Sequence, residues 1–222
     1  MAESITDKLI ADGLKAGDKL PTEPELAEYY GVSRSVIREA GRILTERGLV
    51  DIRPGRGMTV ADFDGAAISR QFGLVLDMQH GTFRQLMEMR LVMEVGMTEY
   101  AALRHTAEDM ALIRTALAAF GANQGQNETL QADIDFHAAV AAASHNPFFV
   151  HLVNPVNDYL RKAYDESRGY VAAQSQTYAE HAKIADAIES RDPTLAAAAA
   201  REHLQRVLDA SEDLITKSAV SS

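Results

Sequence analysis

The chain has 222 residues, 46% hydrophobic and 24% charged, with a formal net charge of −10. These are ordinary proportions for a globular protein long enough for two modest domains. It has no cysteine, which excludes disulfide frameworks, thiolate metal sites and thiol catalysis. The first thirty residues carry charges throughout, and the longest aliphatic run, Leu195 to Ala200, is too short to span a bilayer. A soluble, cytoplasmic protein with no membrane partner is expected.

The charge is unevenly placed. Residues 1–62 hold nine Lys/Arg against eleven Asp/Glu, but Arg34 to Arg56 holds six arginines against three acids. One basic stripe therefore sits on an acidic molecule, which would repel nucleic-acid phosphate elsewhere and favour a single docking face.

In chain order, Thr22-Glu23-Pro24-Glu25 reads as a capping box, with Pro24 harmless in a first helical turn. That helix should run to about Tyr30 and stop at Gly31. Ser33 then caps a second helix that reaches Arg47 and ends at Gly48. Two helices joined by a short Gly-containing turn make a helix-turn-helix. Leu26, Tyr30, Val32, Ile37 and Ala40 fall where the two must pack, with Ala27 small at the crossing. Along the second helix, Val36, Ile37, Ala40, Ile43 and Leu44 form an apolar face. Arg34, Arg38 and Arg42 line the opposite face with Ser35 beside them, the stripe a helix needs to lie in a major groove. Leu49 to Ile52 and Met58 to Val60 then read as two short strands around a Pro/Gly/Arg tip, a hairpin wing. Its Arg53, Gly55 and Arg56 are placed to approach phosphate or the minor groove.

This stretch resembles the DNA-binding domain of GntR-family regulators. The resemblance rests on Gly17-Asp18-Lys19-Leu20-Pro21-Thr22-Glu23, Leu26-Ala27, Gly31-Val32-Ser33-Arg34, Ile37-Arg38-Glu39-Ala40, Leu44, Gly48-Leu49-Val50 and Gly55-x-Gly57. By position it makes Arg34 and Arg38 recognition-helix arginines and Gly55 a wing glycine close to DNA. Pro24 and Pro54 stand where some members carry an arginine and a histidine, so operator preference should differ.

Beyond Asp64 the pattern is helical, over roughly 65–79, 82–105, 107–121, 128–145, 147–168, 172–190 and 192–216. No strand-like alternation interrupts it, and a bundle of antiparallel helices is the way to bury these faces. Polar residues break the apolar faces at informative places. Asp133 and His137, at i and i+4, share a face with Leu130, Ile134, Val140 and Ser144. His181 falls with Tyr178, Ile184 and Ile188, and His203 with Ala196, Ala200, Val207, Ala210 and Leu214. Buried imidazoles and a carboxylate need partners, and this donor set suits a divalent transition metal, Zn2+ or Ni2+, with positions left for water or ligand. His80, His105, His145 and His151 lack that placement. Asn146, before Pro147, reads as a turn residue.

The same segment resembles the FCD sensor domain of the FadR-type GntR subfamily. The residues that carry this are Asp133-x-x-Phe136-His137, Ala143-Ser144-His145-Asn146, Glu180-His181-x-x-Ile184-x-x-Ala187-Ile188 and Ala200-x-x-His203. The resemblance makes Asp133, His137, His181 and His203 the metal ligands. Arg90 lies in the series Leu86, Arg90, Met93, Met97, Tyr100 and is expected inward. There it could grip an effector carboxylate or pair with Glu94 four residues on.

The expected architecture is mostly α. Residues 1–62 form a winged helix-turn-helix, 63–80 a linker and connecting helix, 81–216 an all-α antiparallel bundle that binds an effector, and 217–222 a disordered tail. The expected function is a homodimeric regulator, a repressor, that binds double-stranded operator DNA. A small carboxylate (a hydroxy acid, sugar acid or dicarboxylate) at the metal site controls it. The alternatives are the same regulator with a structural metal or none and a bulkier effector such as acyl-CoA, and a metal-dependent hydrolase, for which no general base stands out.

Overall fold

The computed structural model describes residues 1–53, 57–62, 65–122, 125–165 and 174–218, the side chains at 66, 126, 162–165 and 211–218 apart. Of the expected wing contacts, Gly55 and Arg56 lie outside these residues, as does Pro54. The chain divides into two compact units, Met1–Arg70 and Gln71–Ser222.

The first unit holds α1 (Ala2–Ala11), α2 (Glu23–Tyr30), α3 (Arg34–Glu46), β1 (Val50–Arg53) and β2 (Gly57–Val60). Local chemistry sets the ends. Thr22 and Glu25 form a reciprocal capping box, and Gly31 closes α2 in the left-handed conformation at φ 65°, which glycine adopts without steric cost. Ser33 caps α3 by accepting from the Val36 amide at 3.4 Å. β1 and β2 pair antiparallel with Ile52 opposite Met58. The core joins Ile5, Leu20, Leu26, Ile37, Ala40, Leu44, Val50 and Met58, so α1, α2, α3 and the hairpin share one apolar centre.

One expectation about α3 is corrected. Its buried residues are Ile37, Ala40, Gly41 and Leu44, whereas Val36 is 41% exposed. Val36 sits in the first turn, at the edge of the apolar stripe, so the neighbours that cover Ile37 leave it in solvent.

α4 (Ala66–Met78) spans the division between the units, in the segment expected to connect the domains. The second unit continues with α5 (Phe83–Arg104), α6 (Ala107–Gly121), α7 (Gln126–Ala143), α8 (Pro147–Asp165), α9 (Gln174–Glu189) and α10 (Pro193–Ser218). Thr82 with Gln85 and Thr106 with Asp109 make capping boxes that start α5 and α6. Asn146 accepts from the Phe148 amide at 3.1 Å, the turn role expected for it. The core gathers mostly small and aliphatic side chains of α5, α6, α7, α9 and α10, among them Ala101, Ile113, Ile184 and Ala200, around the ring of Phe136. Tyr100 and Tyr178, expected on inward faces, are 40% and 41% exposed. Tyr178 instead lies over Gly121, where a Cβ would meet its ring at 2.7 Å. Among the described residues no helix is long and apolar enough to cross a membrane.

Candidate DNA-binding face and metal centre

On α3, Arg34, Ser35, Arg38 and Arg42 are all exposed, on the side away from Ile37 and Leu44, and Arg53 is exposed at the end of β1. The arginines are not equivalent. Arg38 donates to Glu23 of α2 from Nη2 at 3.0 Å. Arg42 donates to Glu39, one turn back, from Nη2 at 2.7 Å. Arg34 has no hydrogen-bond or ion-pair partner among the described residues. Ser35 Oγ lies 2.7 Å from Ser33 Oγ. The face is basic, solvent-open and carried on a well-anchored helix.

In the second unit, α7 supplies Asp133 and His137, α9 supplies His181 and α10 supplies His203, and all four are buried. Nε2 of His181 and Nε2 of His203 lie 3.3 Å apart. Oδ1 of Asp133 is 3.5 Å from His181 Nε2 and 3.9 Å from His137 Nε2. One ring nitrogen from each imidazole falls within 4.8 Å of the others. The structure thus brings together the four residues singled out in the sequence.

The outer nitrogens explain the orientation. His137 Nδ1 lies 2.7 Å from Glu94 Oε2, and His203 Nδ1 lies 2.7 Å from Glu180 Oε2. An ionised carboxylate only accepts, so each pair holds the proton on Nδ1 and leaves a bare lone pair on Nε2, facing inward. Behind Glu94 stands Arg90, which donates from Nε and, at 3.2 Å, from Nη2. Behind Glu180 stands Arg206, whose Nε and Nη2 each donate at 2.6 Å. Burial alone would raise both carboxyls. The Arg90 guanidinium and His137 outweigh it at Glu94 and hold that group far below the usual carboxylate range. His203 and Arg206 outweigh it at Glu180 and bring it down to about 2.

Burial pushes the His181 and His203 imidazoles down, with the neighbouring cationic groups adding to the effect at His181. Both are therefore kept in the neutral form that binds metals. Phe136 stacks on His181 at 4.2 Å between ring centres and fixes its plane. The buried Nε2 of His137 has no hydrogen-bond partner, which is costly unless something fills that role. His137, His181 and His203 could hold a metal ion, with Asp133 beside them. The histidine–carboxylate pairs behind them match the outer shell that orients metal-binding imidazoles. A small cavity adjoins the cluster, lined by polar Glu94, Thr98, His137 and His203 together with apolar Met97, Val140 and Ile184.

The family profile described as bacterial regulatory proteins of the gntR family matches residues 1–60, and that of the FCD domain matches residues 85–206. The chain belongs to the gntR family of bacterial regulatory proteins, with an FCD domain. Curated relatives of this GntR-family chain agree along its length. The HTH-type transcriptional regulator LutR of Bacillus subtilis (strain 168) is 35% identical, covering 88% of this chain and 92% of its own. The Galactonate operon transcriptional repressor of Escherichia coli (strain K12) is 32% identical, covering 83% of each. The solved structure of Streptococcus agalactiae GntR shares the fold, with a TM-score of 0.71 at 24% identity over 94% of this chain and 97% of that one. The protein is a DNA-binding transcriptional regulator and not an enzyme, which removes the hydrolase reading.

Sequence reasoning foresaw Glu94 only as a partner for Arg90 and gave Glu180 and Arg206 no role. Arg206 follows His203 by three residues, and Glu180 precedes His181 by one. Their meeting depends on the packing of α9 against α10, which no single-helix pattern contains.

Proposed function

We propose that operator binding by this regulator is controlled by a small organic acid bound at a metal site formed by Asp133, His137, His181 and His203. The observation that carries the reading is the convergence of buried Nε2 atoms, two of them on imidazoles whose Nδ1 is tied to a carboxylate. A divalent transition metal, Zn2+ or Ni2+ by this donor set, would supply a Lewis-acidic cation able to take carboxylate or hydroxyl oxygens. The chain's own residues do the rest. Glu94 and Glu180 orient the imidazoles, and Asp133 offsets the charge. The effector, a hydroxy acid, sugar acid or dicarboxylate, would enter at the cavity beside His137 and His203, which has to widen to admit it. Arg90 holds Glu94 on His137 and reaches an effector carboxylate only by releasing part of that pair.

At the other site, Arg34, Ser35, Arg38 and Arg42 enter the major groove of double-stranded DNA, and Arg53, Gly55 and Arg56 follow the backbone from the wing. A homodimer in the cytoplasm presents two such helices to a pseudo-palindromic operator. Exposed Val92 and Leu103 on α5 and Phe148 and Leu152 on α8 are apolar surface that a second copy would cover. The relatives named as repressors favour repression, which the effector would relieve. A coupling of about 1–3 kcal/mol between the sites would change operator affinity roughly 5- to 150-fold.

The test is metal analysis of the purified protein, then melting and operator-binding assays with a panel of small carboxylic acids, with and without a chelator. At least one acid should raise the melting temperature and release operator only when metal is present. Metal-free protein as purified, or an effector response indifferent to chelation, would overturn the metal-site reading.

A further inference from the structure

Arg38 of α3 and Glu23 of α2 meet across the helix-turn-helix. Glu23 Oε1 lies 3.5 Å from Arg38 Nε, and Oε2 lies 3.0 Å from Nη2. The carboxylate therefore takes the side edge of the guanidinium. A guanidinium carries five N–H donors in one rigid plane, so this leaves its end edge, with one N–H from each Nη atom pointing the same way. Two parallel donors are what O6 and N7 of guanine accept in the major groove. The Arg38 side chain is 72% exposed, against 35% for Glu23, so the guanidinium is open to solvent.

Glu23 is not needed to start its own helix. Thr22 and Glu25 close the capping box without it: the Thr22 amide donates to Glu25 Oε2 at 2.7 Å, and Thr22 Oγ1 accepts from the Glu25 amide. An acid on a DNA-facing surface repels phosphate whatever the sequence, so the charge of Glu23 by itself works against every duplex alike. Beyond the favourable place of an acid in the first turn of α2, its return would come from selectivity. The other arginines of the stripe are arranged differently, since Arg42 pairs within its own helix with Glu39 and Arg34 has no partner among the described residues. Of these three arginines, only Arg38 is held from a second helix among the described residues.

We propose that Glu23 is a positioning residue for operator recognition, fixing the Arg38 guanidinium so that its end edge reads one guanine in each half-site. The inference rests on the placement of Arg38 in the groove given under Proposed function. The carboxylate itself touches no base. It restricts the rotamers of a long side chain before DNA arrives, so that less freedom is lost on binding.

The test uses full-length protein and a duplex selected by the wild type from a randomised pool, with each base pair then replaced in turn. Glu23→Ala should lose about 10-fold in preference at one position of the half-site. That position should be the one at which Arg38→Ala loses preference. Glu23→Ala should bind unrelated DNA at least as tightly as the wild type, because a repelling charge is gone. In the double variant, Glu23→Ala should add nothing to Arg38→Ala. Melting temperatures of the variants establish that each is folded. A wild-type base preference in Glu23→Ala overturns the inference, as does a loss equal on all duplexes or a loss that adds to that of Arg38→Ala. If Arg38→Ala itself leaves every preference intact, the groove placement of Arg38 fails and the inference fails with it. If Arg38→Ala relaxes the preference and Glu23→Ala does not, only the role of Glu23 is lost.

Discussion

His203 Nδ1 lies 2.7 Å from Glu180 Oε2, and Arg206 closes on the same carboxylate from the far side with two donors at 2.6 Å. The proton on Nδ1 is thereby fixed, and the Nε2 lone pair points at His181. Replacing Glu180 by Gln keeps the shape but removes the charge that fixes this tautomer and steadies Arg206. Glu180→Gln should weaken metal binding about 10- to 100-fold, measured by titration calorimetry with Zn2+ or Ni2+. Unaltered affinity would mean that the carboxylate plays no part in the centre.

Removing a ligand should have a sharper effect. His203→Ala is expected to lose most of its bound metal and its effector response, while its metal-free form keeps operator affinity, because the helix-turn-helix core is a separate apolar cluster. Metal bound only by the folded state at about 100 times its dissociation constant adds roughly 2.7 kcal/mol of stability. The melting temperature of the wild type should therefore climb with metal and that of His203→Ala should not. Metal content equal in the two proteins would take His203 out of the site.

Acidity should act on the metal-free protein in a defined direction. Burial lowers His181 well below 6.5, and it lowers His203 too. As pH falls through about 6.5 the unfolded chain takes up protons that the folded protein refuses. Stability must then drop with falling pH across that window. Glu180, brought down to about 2, acts in the same direction but at lower pH. Its pairing stabilises the fold above its ordinary value of 4.5 and is lost only on the way from there to about 2. Between roughly pH 6.5 and 4.5 the imidazoles therefore set the slope. Chemical denaturation in chelator at several pH values reads this out, and a stability flat from about pH 7.5 to 5.5 would contradict it.

Much of this was legible in the residues. Capping residues such as Thr22 and Ser33 act locally, so they marked helix starts that the structure keeps. Asp133 and His137 share a helix face by periodicity alone, and both are buried. The failures lie where a neighbour decides. Val36, Tyr100 and Tyr178 sit at the edges of apolar stripes, and whether an edge position is covered depends on the packing of other helices. The Arg90–Glu94 pair was visible because it lies within one helix. The Glu180–Arg206 pair joins α9 to α10, and nothing in either segment announces the other.

The packing of the hairpin on α3 gives a test of the wing. A Cβ on Gly41 would lie 3.1 Å from Met58 Sδ and 3.2 Å from Ile52 Cδ1, so β1 and β2 press directly on the bare backbone of the helix. Alanine there gains helix propensity worth about 1 kcal/mol over glycine, and the two flexible side-chain ends can give way by a few tenths of an ångström. Gly41→Ala should therefore be nearly neutral. Valine adds two methyl groups where Met58, 5% exposed, already fills the space, and it loses rotamer freedom in the helix. Gly41→Val should cost about 1–3 kcal/mol in chemical denaturation. It should also weaken operator binding by displacing the hairpin that carries Arg53, while metal binding in the second unit is untouched. Tolerance of valine as full as that of alanine would show that the hairpin does not depend on this contact.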